Sequence, residues 1–103
     1  MNAYKSYDQL SDDERADLSQ CGAVGFTFEE VSLLFNLDPS EVRRQFSSKS
    51  GDIYMAYIRG RLQAELLLRQ KLFSSACNGS NPAQSQMLQL YQQADNAHRD
   101  LEF

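Results

Sequence analysis

The chain has 103 residues, 42% of them hydrophobic and 23% charged, and a net charge of −4. That length supports one modest core, and the composition is ordinary for a globular protein. No run approaches the roughly 18 apolar residues of a membrane span. The opening MNAYKSYDQL lacks the apolar block of a signal peptide, so an intracellular protein is expected. Cys21 and Cys77 have neither metal-ligand nor CxxC spacing and read as two buried thiols.

Residues 1–10 hold two tyrosines without a clear period and read as an arm. A first helix starts at Ser11, which caps it in a box with Glu14, while Asp12 and Asp13 suit the positive end of the helix dipole. Its apolar stripe is thin (Ala16, Leu18, Cys21), and Gly22 and Gly25 are expected to end it.

The next twenty residues, TFEEVSLLFNLDPSEVRRQF, contain two helix starts of one construction. Thr27 and Glu30 form a capping box, with Phe26 and Val31 as its hydrophobic staple. Asp38 opens the second helix with Pro39 at the first helical position; Glu41 is expected to complete that box, and Leu37 and Val42 its staple. Asn36 between them tolerates the left-handed conformation of a helix C-cap. Phe28, Val31, Leu34, Phe35, Val42 and Phe46 should face inward, and Ser32 should let the two helices approach closely. Two capped helices joined by a tight turn read as a helix-turn-helix unit.

SSKSGD (47–52) is a polar break. The longest helical pattern follows, from about Asp52 to Ala76, with Gly60 read as tolerated within it at about 1 kcal/mol relative to alanine. Ile58, Leu62, Leu66, Phe73 and Cys77 make one stripe, and Leu67, Leu68 and Leu72 widen it, so more than one side must be covered. CNGSNP (77–82) is the next turn, with Asn81 as expected cap, Pro82 at the first helical position and Gln84 completing a box. The last helix, to about Arg99, repeats Ala83, Met87, Leu90 or Tyr91, Ala94 and Ala97, and its short connection predicts that it folds back antiparallel. The expected architecture is therefore all-α: a three-helix head with the helix-turn-helix (residues 1–50), then an antiparallel helical hairpin (residues 51–103).

Charge is unevenly distributed. Residues 1–40 carry Lys5 and Arg15 against eight acids, whereas residues 41–71 carry seven basic side chains against Glu41, Asp52 and Glu65. The basic block starts inside the second helix of the motif, where a phosphate-facing surface belongs if the motif reads DNA. In such a unit Ser40 and Arg43 meet base edges, and Arg43 can grip a guanine in bidentate fashion. Arg44, Ser47 and Lys49 complete the candidate DNA face, with Arg44 and Lys49 on phosphates. Asp38 and Glu41 oppose DNA at the same end, so one head should bind weakly and gain affinity by linkage of several. Ile58, Leu62, Leu66, Leu67, Phe73, Met87 and Tyr91 are the candidate assembly residues. Catalysis has little to stand on: the single histidine, His98, reads as a surface residue, and there is no phosphate loop, zinc spacing or nucleophile motif. No cofactor or metal is expected. A structural or adaptor protein that uses its helices for protein contacts is the competing reading, and a helix-turn-helix transcription regulator a third.

Over residues 10–97 the chain resembles the small-terminase-like DNA-binding proteins of tailed phages and prophages. The resemblance is carried by the order of TFEEVSLLFNLDPSEVRRQF and the long helix after it. In that helix Arg59-Gly60, Ala64, Leu68-Arg69, Leu72-Phe73, Ala76 and Asn78-Gly79 precede the helix start Asn81-Pro82-Ala83. The likeness implies recognition of double-stranded packaging-site DNA, homo-oligomerisation through the hairpin, a large terminase subunit as partner, and work in the cytoplasm of a bacterial host.

Overall fold

The computed structural model describes residues 3–101, the side chain of Asp100 excepted; Met1 and Asn2 of the expected arm, and Glu102 and Phe103 of the expected hairpin segment, lie outside the described residues. Five α-helices follow one another: α1 (Asp12–Val24), α2 (Phe28–Phe35), α3 (Pro39–Ser48), α4 (Asp52–Cys77) and α5 (Asn81–His98). Single turns of 3-10 helix lie at Tyr7–Gln9 and Arg99–Leu101. The described residues contain no strand, only one bridge between Lys5 and Leu37. The protein is all-α. It divides into two compact units, Met1–Glu65 and Leu66–Phe103, with α4 running through both.

The starts of α1, α2 and α3 are set by neighbouring side chains. Ser11 Oγ accepts from Glu14 N, and Glu14 Oε1 accepts from Ser11 N at 3.0 Å. Thr27 and Glu30 make the same reciprocal pair. Asn36 adopts φ 54° and ends α2, and its side chain donates to the Ala3 carbonyl at 3.0 Å. Lys5 N donates to the Asn36 carbonyl, so the arm is pinned to the turn between α2 and α3. α1 does not end at Gly22: it continues to Val24 and closes on Gly25 in the left-handed conformation.

The core of this unit forms where the arm and α1–α4 bring their apolar faces together. Leu18, Val31, Leu37 and Val42 are completely enclosed, each burial contributing about 1.5–3 kcal/mol. Leu10, Cys21, Phe35, Ile53 and Tyr57 join them, and Phe28, Phe46, Tyr54 and Tyr57 stack as a ring cluster around Phe46. Ser32 is buried as expected, its hydroxyl donating to Glu29 O. Leu34 and Ala16, expected inside, are exposed. On α2, Val31 and Phe35 already occupy the inward line, and the one-residue offset turns Leu34 about 100° away from Phe35.

α1 and α4 cross with their backbones in close approach at two glycines. A Cβ on Gly22 would run into the Tyr57 carbonyl oxygen, and one on Gly60 into the Ser19 carbonyl oxygen. Ser19 Oγ also donates to the Ala56 carbonyl at 3.0 Å. Gly60 is therefore required for backbone approach, not merely tolerated by a long helix. Arg61, one residue on, donates from Nε to Gly22 O and from its terminal nitrogen to Tyr57 Oη.

In the second unit the turn after Cys77 carries Gly79 at φ 97°. The cap of α5 is Ser80, which accepts from Ala83 N, one residue before the expected Asn81. Gln84 does not close a box; its amide donates to the Ala76 carbonyl at the end of α4. Ala83 is buried and Met87 and Leu90 are half-buried, whereas Cys77, expected inside, is exposed.

Candidate nucleic-acid interface

α3 owes its orientation to one face. Val42 is completely enclosed, Phe46 sits in the ring cluster, and Gln45 is only 4% exposed. Ser40, Arg43, Arg44 and Ser47 recur at three- and four-residue steps on the other side, and all four are exposed. Lys49 follows as the left-handed C-cap at φ 55° and is exposed too.

The two arginines differ in state. Arg43 makes no hydrogen bond or ion pair with any of the described residues. Arg44 is paired with Glu41 through both Nε and a terminal nitrogen. That pair lowers the Glu41 carboxyl from 4.5 to about 2, first through the Arg44 hydrogen bond and then through the Gln45 amide, and raises Arg44. Both partners are solvated, so the pair is weak and exchangeable. Its occupation also explains why Glu41 does not complete the expected capping box: the Asp38 carboxylate alone accepts from Ser40 N, at 3.0 Å. The charges of Asp38 and Glu41 thus have partners within the helix.

Gln45 was not legible as a site residue, yet it joins α3 to α4. Its Oε1 accepts from Ile53 N at 2.9 Å and Tyr54 N at 3.1 Å, which caps the start of α4. Its amide nitrogen donates to Glu41 and Asp52. Gly51 at φ 101° leaves the space that the Gln45 side chain fills. A polar cleft of about 520 Å³ opens beside this network, lined among others by Tyr4, Tyr7, Asp38, Glu41 and Asp52. Among the described residues no group of three or more His, Cys, Asp or Glu could hold a metal ion.

The candidate assembly residues fall into two groups. Ile58 and Met87 are half-buried. Leu62, Leu66, Leu67, Phe73 and Tyr91 are exposed, with Leu67 at 63%. Leu68 and Leu88, outside that set, are equally open. Within the second unit Phe73, Ala76, Cys77, Met87, Leu88 and Tyr91 line a shallow, largely apolar cleft of about 320 Å³. Among the basic side chains of α4, Arg61 is engaged inside the first unit, whereas Arg59 is exposed. His98 is exposed, and no helix among the described residues is long and apolar enough to cross a membrane. Comparison with family models, with curated proteins and with solved structures finds no match.

Proposed function

We propose that the chain is a non-enzymatic DNA-binding protein of phage or prophage, of the small-terminase kind. In this reading residues 1–50 are a head with α2 and α3 as its helix-turn-helix, and α4 with α5 is the antiparallel hairpin (residues 51–103) through which copies assemble. The observation that carries it is the two-sided character of α3: Val42, Gln45 and Phe46 anchor one side while Ser40, Arg43, Arg44 and Ser47 are displayed on the other. Ser40 and Arg43 meet base edges in the major groove, and Arg44 and Lys49 meet phosphates. Arg44 leaves Glu41 for a phosphate at small cost, because the pair is solvated. Few cations per head make each contact weak, and assembly multiplies them. A large terminase subunit is the protein partner, and the bacterial cytoplasm the place of work.

The test is duplex binding at low salt, using packaging-site DNA, with Arg43→Ala/Arg44→Ala. Loss of one base contact and one phosphate contact should weaken binding at least about tenfold and lower the salt slope by roughly one. Unchanged affinity would remove α3 from the interface. The open leucines of α4 favour a second reading, an adaptor that binds only proteins. A wild-type chain that ignores duplex DNA at every salt concentration would decide for it.

A further inference from the structure

The first unit has an apolar cleft on another part of its surface. Cys21, Val24, Phe26, Leu34 and Phe35, from α1, α2 and the segment between them, line a space of about 350 Å³. Leu34 is 58% exposed there, between the buried Val31 and Phe35 of α2. The same cleft is edged by Glu14, Asp17 and Gln20. Glu30 stands close enough that, with Asp17, it adds to the effect of burial in pushing the Cys21 thiol up. Lys5 offsets part of this charge at 3.5 Å from Glu14, while Arg15 is held elsewhere, over the Tyr7 ring and on the Asp8 carbonyl.

We propose that this cleft docks a basic amphipathic helix of a partner protein. The acidic rim repels nucleic acid and anionic lipid and attracts Lys and Arg. The walls are helices whose backbone groups are already paired, so an extended strand would find no edge to join, whereas a helix brings apolar anchors at three- and four-residue spacing. An apolar floor within a charged rim is the arrangement of a docking site. The inference does not rest on DNA binding.

The probe is a fluorescein-labelled helical peptide of about 15 residues with leucine on one face and lysine on the other, beside its glutamate-for-lysine counterpart. With the full wild-type chain, the lysine peptide should bind, the glutamate peptide should not, and amide NMR shifts should gather at Cys21, Val24 and Leu34. Leu34→Ser and Asp17→Lys alter solvent-facing positions, and each should weaken the lysine peptide about tenfold. Equal binding of both peptides, shifts confined to α4 and α5, or affinity indifferent to the two variants would overturn the proposal. A fall in the chain's own assembly mass on Leu34→Ser would overturn it as well, because a second copy would then be the occupant.

Discussion

Gln45 shows how much of this molecule turns on a single amide. Its oxygen caps α4 and its nitrogen is shared by Glu41 and Asp52. Gln45→Ala should therefore lower stability by about 2 kcal/mol, since buried polar partners lose their bonds. The exposed neighbour Ser47→Ala should stay within roughly 0.5 kcal/mol of wild type. Urea unfolding of both variants checks the contrast; equal midpoints would show that water replaces the amide at no cost. Ser11 with Glu14 and Thr27 with Glu30 could be read from sequence because each pair acts across three residues. Gln45 could not: its partners on α4 lie eight and nine residues away across a turn, so nothing local distinguishes it from Ser47. Glu41 departs from its local pattern for a related reason, since Arg44 and Gln45 compete with the cap for one carboxylate.

At the scale of elements, existence and order were legible, and contact was not. Each helix carries its own periodic pattern and end signals, which is why all five were expected close to where they stand. The crossing of α1 and α4 joins Gly22 to Tyr57 and Gly60 to Ser19, pairs far apart in sequence, and no local rule announces such contacts. Gly60→Ala tests which account of the glycine is right. Propensity alone would raise stability by about 1 kcal/mol. Overpacking against the Ser19 carbonyl should instead leave the variant about 1–3 kcal/mol less stable. A thermal midpoint at or above the wild-type value would mean that the two backbones part easily.

For the whole molecule, the open apolar surface of α4 is the feature that bears on association. Leu62, Leu66, Leu67, Leu68 and Phe73 are open to solvent in the single chain, and burial of such side chains is a dominant force in association. A stretch too apolar for one covered side thus stands largely uncovered from Leu62 onward. If copies cover it, sedimentation equilibrium should give a mass above the 11.7 kDa of one chain. Leu67→Glu/Phe73→Glu should return the mass to that value with an unchanged far-ultraviolet spectrum. A wild-type mass of one chain at tens of micromolar would assign the surface to a different protein.

The arm also closes a long loop. Ala3 and Lys5 bind Asn36, whose left-handed conformation exists only once α2 has stopped. Closing that loop of more than thirty residues costs chain entropy before any bond repays it. Lys5 is exposed whereas Val31 is enclosed, so the Lys5 amide should exchange with solvent faster than the Val31 amide.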